Sequence, residues 1–125
     1  MKVDILGTEY TLSEEEEDKD IRLKTNWGFI DFNTKQIIIN KDVWKLTADS
    51  CRDPEYFYKK VVRHEIIHAF LYESGLKENS FEVSAWAENE EMVDWFAIQS
   101  PKIFKVYLEL EIMDGITKMQ EGDIN

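Results

Sequence analysis

Asp53-Pro54-Glu55-Tyr56-Phe57-Tyr58-Lys59-Lys60-Val61-Val62-Arg63-His64-Glu65-Ile66-Ile67-His68-Ala69-Phe70-Leu71-Tyr72-Glu73-Ser74-Gly75 is punctuated as a helix at both ends. Asp53 can cap the first turn, Pro54 suits the first helical position, and Gly75 closes the pattern. Between them Phe57, Val61, Val62, Ile66, Ile67, Ala69, Phe70 and Leu71 occupy most of the circumference, which predicts a largely buried helix. Both histidines of the chain fall inside it, in His64-Glu65-Ile66-Ile67-His68. Residues four apart lie one turn apart on the same helical face, so the two imidazoles can reach one metal ion. Glu65 is turned about 100° from His64, close enough to act on a water at that metal without being a ligand.

Strands are expected before this helix and further helices after it. Lys2 to Leu12 alternates around Gly7 and predicts one or two short strands, followed by an acidic loop over 13–20. Trp27-Gly28-Phe29-Ile30-Asp31-Phe32, a turn at Asn33-Thr34-Lys35, and Gln36-Ile37-Ile38-Ile39-Asn40 read as a hairpin, rich in β-branched and aromatic residues. Val43 to Leu46 forms a short helical or extended link. A second helix is expected from Ser80 to about Ile98, and a third from Ser100-Pro101 to Asp114-Gly115, with a polar tail over 116–125. The expected class is α+β: one minimal domain over 1–125, with a small N-terminal antiparallel sheet followed by about three helices.

A chain of 125 residues suits one modest core. The single cysteine, Cys51, excludes an intramolecular disulfide framework and fits a reducing compartment. Neither a secretory signal nor an apolar run of membrane-spanning length is visible, so a soluble, cytoplasmic protein without a membrane partner is expected. A net charge of −11 argues against nucleic-acid binding, since phosphates would be repelled. The acid gathered at Glu14-Glu15-Glu16-Glu17-Asp18 is ordinarily a solvated surface; a dock for a basic protein partner is the sharper reading.

Two histidines do not hold a catalytic zinc, which ordinarily takes three protein ligands and a water. With no third histidine, a carboxylate is expected, and Asn89-Glu90-Glu91-Met92-Val93-Asp94-Trp95-Phe96-Ala97 offers three. On a helix Glu90 shares its face with Val83, Trp86, Ala87, Val93 and Ala97, whereas Glu91 lies beside Ser84, Glu88 and Trp95. A carboxylate on an apolar face needs a compensating positive charge, and Zn²⁺ supplies one, so Glu90 is the expected third ligand. Asp94, one turn on, suits the carboxylate that receives the second N–H of a ligating histidine and fixes its ring.

The pairing of H-E-x-x-H with N-E-x-x-x-D resembles the thermolysin-like gluzincin branch of zinc peptidases, with Asn89, Glu90 and Asp94 matching directly. Phe96-Ala97 also resembles the ending of the Glu-x-x-Ala-Asn-x-Phe-Ala segment of ImmA/IrrE-type peptidases, with Val93 and Asp94 in place of Ala and Asn. More broadly, HEIIHAFLYESGL followed by NEEMVDWFAIQSPKI looks like small metallopeptidase-like proteins carried by phages and prophages of Gram-positive bacteria. The similarity covers roughly residues 28–108. The DNA-binding domain that accompanies many ImmA/IrrE-type proteins has no counterpart in this sequence, which puts a repressor-cleaving role in doubt.

The resemblance implies water-mediated hydrolysis of a protein or peptide substrate, with Glu65 as the catalytic base and His64, His68 and Glu90 holding zinc. A peptide is expected to lie extended along the hairpin edge. Tyr72 is the candidate stabiliser of the transition state, with Tyr58 and Arg63 as alternatives, and a packing or surface role competes for each. The rival to the enzyme is an acidic, non-catalytic binding or inhibitor protein, a partner-docking module or nucleic-acid mimic with a structural or vestigial metal site.

Overall fold

A four-stranded sheet carries the N-terminal third of the chain, in a computed structural model that describes residues 1–46, 53–76 and 90–114. The side chains of Glu90, Val93, Asp94 and Ala97 lie outside the described residues, as do Cys51, the expected helix start at Ser80, Asn89, Gly115 and the tail over 116–125. Strands β1 (Lys2–Ile5) and β2 (Thr8–Glu15) form one hairpin, and β3 (Gly28–Asp31) and β4 (Gln36–Asn40) a second. The first turns through Leu6 (φ +52°) and Gly7 (φ +91°), a positive-φ pair that matches the twist of a tight hairpin. In the second, the Asp31 carboxylate accepts from the N–H groups of Asn33 (3.0 Å) and Thr34 (3.2 Å), and Lys35 closes the turn at φ +57°.

The strand order is β1-β2-β4-β3, and the sheet is mixed rather than antiparallel. Both hairpins are antiparallel inside, yet β2 and β4 pair in parallel, from Thr11 opposite Gln36 to Glu15 opposite Asn40. Burial explains why β4 takes the interior position. Ile37, Ile38 and Ile39 are all buried, so this strand must be covered on both faces, and a continuous apolar run belongs inside a sheet. The expected acidic loop is shorter than its charge suggested: residues 13–15 continue β2, because pairing needs only their main chain while exposed Ser13 and Glu14 reach water. Two 3-10 turns, Glu17–Lys19 and Ile21–Lys24, then bring buried Leu23 against the sheet. The link after β4 is a 3-10 turn, Lys41–Lys45, capped by Asn40, whose side chain accepts from Asp42 N–H at 2.8 Å.

Helix α1 (Pro54–Glu73) matches its sequence punctuation. Asp53 accepts from the Tyr56 N–H at 3.0 Å, Pro54 opens the first turn, and Gly75 (φ +82°) lies just beyond the end. Val62, Ile66, Ala69 and Phe70 form the fully buried stripe that packs with Ile37 and Ile39, each fully buried large apolar side chain contributing about 1.5–3 kcal/mol.

Helix α2 (Glu90–Glu109) corrects the expectation of two separate helices there: it runs unbroken through Ser100 and Pro101. Proline forfeits one backbone hydrogen bond and strains the preceding turn, at about 3 kcal/mol. Burial of Trp95, Ile103, Val106 and Tyr107 along the helix offsets that cost. Among the described residues there are thus two α-helices. They are antiparallel: Trp95 Nε1 donates to Ser74 Oγ (2.8 Å) at one end, and at the other the Tyr107 hydroxyl donates to the Arg63 carbonyl (3.5 Å).

Helix α2 also ends five residues before the expected stop at Asp114-Gly115, and does so without glycine. Ile112 N–H bonds the Tyr107 carbonyl (3.1 Å), Glu111 N–H bonds that of Leu108 (3.2 Å), and Glu111 takes φ +56°, the arrangement of a Schellman cap. Arg63 holds the cap, donating to the Ile112 carbonyl (2.8 Å) and to Asp114 (3.0 Å). Glutamate pays for the left-handed backbone where glycine would not. Glu111→Gly is therefore expected to stabilise the protein by about 0.5–1 kcal/mol, read as a higher urea midpoint; an unchanged or lower midpoint would show that the cap carries no strain.

Candidate functional site

On α1 the spacing of the histidines becomes a convergence of atoms. His64 Nε2 and His68 Nε2 stand 3.1 Å apart, with the rings 4.7 Å between centroids and inclined at 71°. Both side chains are exposed, on the face of α1 away from its buried stripe. Zinc–imidazole bonds of about 2.0–2.1 Å in tetrahedral geometry would set two nitrogens about 3.3 Å apart. At 3.1 Å one imidazole can donate to the other, and the spacing is also close to what a shared zinc ion would require.

Glu65, a quarter-turn round the helix from His64, lies between the histidines and the buried stripe. Among the described residues it is the only buried charged one, 6% exposed, and burial pushes its carboxyl above the ordinary value while His64 acts in the opposite sense. Burial comes from close approach of β3: a Cβ on Gly28 would lie 2.9 Å from Val61 Cγ1, 3.2 Å from Ile39 Cδ1 and 3.4 Å from Glu65 Cγ. Only a residue without a side chain lets the strand settle this tightly on the helix. Gly28 was not singled out as a site residue from sequence, although a glycine inside a strand pattern is itself a sign of close backbone approach.

A cleft of about 330 Å³ opens between β3 and the N-terminal half of α1. Its walls include Trp27, Phe57, Lys60 and Val61, and it reaches His64 and Glu65. Strand β3 ends the sheet, and among the described strands nothing pairs with its outer side. Asn40 N–H donates to the Trp27 carbonyl at 2.8 Å, so the closely bonded pairs are Trp27–Asn40, Phe29–Ile38 and Asp31–Gln36. By that alternation Gly28 and Ile30 point their N–H and C=O groups toward the open edge. The site thus combines two convergent imidazoles, a buried carboxylate, a cleft and strand-edge hydrogen-bonding groups that no other described strand pairs with. A scan against protein-family models finds no match, and neither the curated proteins nor the solved structures compared with the chain match it.

The remaining sequence candidates occupy defined places. Tyr72 stacks on Phe32 (4.3 Å between centroids, 19° between planes), and Lys35 Nζ lies 4.6 Å from its ring centre. Tyr58 packs on Trp44 at 4.9 Å; burial, then its hydrogen bond to Glu14, pushes its hydroxyl far above the usual range. Arg63 is engaged at the end of α2. Of the described tryptophans, Trp95 is 8% exposed, whereas Trp27 and Trp44 keep 39% and 47% of their surface in solvent. Among the described residues no group of three or more His, Cys, Asp or Glu could hold a metal ion. Glu91 is exposed, while Glu90 and Asp94 belong to α2 with side chains outside the described residues.

Proposed function

We propose that the chain is a zinc-dependent metallopeptidase on a minimal zincin-like scaffold, of the kind carried by phages and prophages, hydrolysing peptide bonds in a cytoplasmic protein or peptide. The observation that carries the reading is the 3.1 Å approach of the His64 and His68 Nε2 atoms beside the buried carboxylate of Glu65. His64, His68 and Glu90 would hold the zinc, with Asp94 orienting one of the imidazoles. A zinc ion bound there would supply Lewis-acid polarisation and water activation. Glu65 receives the proton of the attacking water on its carboxylate as the water oxygen bonds to the carbonyl carbon. It then passes that proton to the amide nitrogen as the C–N bond breaks. Main-chain groups of Gly28 and Ile30 are placed to hold an extended peptide across the site, and Tyr72 is kept as the proposed transition-state stabiliser.

Metal analysis of the purified full chain tests this first, with one zinc per chain expected. Glu90→Ala is expected to release that zinc, whereas Glu91→Ala leaves it bound. The opposite pattern would move the third ligand to Glu91, and a parent chain that takes up no zinc would end the reading. The competing proposal, an acidic non-catalytic binding protein, draws on the charge of −11 and on a depression where Glu16, Glu17, Asp18 and Asp42 outnumber Lys24 and Lys45.

A further inference from the structure

Trp27 is an unusual residue to leave 39% exposed in so small a protein, and its surroundings give it a use. Its ring meets that of Phe57 edge to face, 5.4 Å between centroids and 89° between planes. Together with Val61 the two rings form the apolar walls of the cleft that ends at His64 and Glu65. Cross-strand neighbours project their side chains to the same face of a sheet. The missing side chain of Gly28 would point at Val61 and Glu65, hence toward α1. A peptide residue paired opposite Gly28 on the open edge therefore turns its own side chain toward α1 as well, into the cleft that Gly28 helps to line. The volume of about 330 Å³ is ample for one ring. Aromatic walls favour an aromatic occupant, since a third ring extends the edge-to-face arrangement. Exposed Lys60 at the same cleft offers a cation to the face of that ring.

We propose that this cleft is the specificity pocket of the site, taking an aromatic side chain (Phe, Tyr or Trp) of an extended peptide laid along β3. The inference rests on the peptidase reading but concerns recognition, and recognition can be measured without turnover. The full chain, zinc-free in chelator and again with added zinc, is titrated by NMR with acetyl-Gly-Phe-Gly-amide and acetyl-Gly-Ala-Gly-amide. The phenylalanine peptide is expected to bind at least about tenfold more tightly in both states. Trp27→Ala is expected to erase that ratio, whereas Trp44→Ala, at an exposed tryptophan outside the cleft, leaves it unchanged. Phe57→Leu, which keeps bulk and removes the ring, serves as a second variant if Trp27→Ala fails to fold, and is expected to cut the ratio several-fold. Equal affinities for the two peptides, or a ratio that survives both cleft variants, would overturn the pocket. Zinc uptake measured in parallel separates the two claims. Bound zinc without aromatic preference removes the pocket alone; aromatic preference in a chain that takes up no zinc overturns a pocket serving hydrolysis.

Discussion

Glu65→Gln is expected to lower peptide hydrolysis by about 10²–10⁴-fold, the contribution ordinarily made by a positioned general base. The substitution keeps the shape of a side chain that is 6% exposed and packed beside Gly28, so the strand and helix need not separate. It also removes an ionisable group from a place where burial already disfavours its charge. Thermal unfolding should accordingly stay within about 4 °C of the parent, the shift that roughly 1 kcal/mol produces in a chain of this size. Zinc content should be unchanged, because neither histidine is touched. A variant that hydrolyses a peptide library at the parent rate would exclude Glu65 as the base. A variant that loses both zinc and fold would mean that the carboxylate is needed for packing.

The largest expected effect on stability lies at the opposite end of α1. Glu73 accepts from the Tyr10 hydroxyl (2.6 Å), Lys35 Nζ (3.0 Å) and Thr8 Oγ1 (3.2 Å), tying the last turn of the helix to both hairpins. Tyr10 is completely buried, so removal of its acceptor strands a hydroxyl in the core. Glu73→Ala is expected to cost about 2–3 kcal/mol, or a fall of about 10 °C in melting temperature. A second change, Tyr10→Phe, should restore part of the loss by removing the stranded group. The contribution also depends on pH. Burial alone would raise the Glu73 carboxyl, but the hydrogen bonds from Tyr10, Lys35 and Thr8 outweigh it and hold the group below its ordinary value. A depressed carboxyl stabilises the fold fully above the unfolded value, about 4.3, and loses that contribution as pH falls through the folded one. The gap in urea midpoint between the parent and Glu73→Gln should therefore be wide at neutral pH and narrow in acid; a gap independent of pH would show that charge plays no part.

Local signals in the sequence predicted local structure well. Asp53, Pro54 and Gly75 bracket α1 as expected, and the hairpin from Trp27 to Asn40 has its turn where Asn33, Thr34 and Lys35 stand. Non-local pairing was beyond the same reasoning. Nothing near Ser13 or Gln36 signals that β2 and β4 run in parallel, because the pairing joins Thr11 to Gln36 and Glu15 to Asn40, residues far apart in the chain. Ser100-Pro101 carries the same cap-then-proline signal as Asp53-Pro54, yet only the latter starts a helix; packing of Ile103 and Tyr107 decides the difference. Glu111 shows the converse case, a helix stop held by Arg63 without the glycine that would announce it. At the site, helical periodicity was sufficient to bring His64 and His68 together. It could not reveal that Gly28 packs on Glu65, a contact between residues far apart in the chain.

The parallel seam between β2 and β4 shapes how the chain can fold. Each hairpin closes over a short loop and can form by itself on a microsecond scale. Joining them requires Thr11 to meet Gln36, and only then does β4 have a strand on each side. Helix α1 needs that finished surface, since Ile37 and Ile39 are part of the floor on which Val62 and Ile66 rest. The connectivity leads us to expect assembly in that order: two hairpins, one slower docking event, and the histidine-bearing helix after it. Loop-closure entropy grows only logarithmically, with a doubling of loop length costing about 0.6 kcal/mol. The turns over 16–19, ahead of the anchor at Leu23, are consequently where evolution could lengthen the chain without disturbing the histidines.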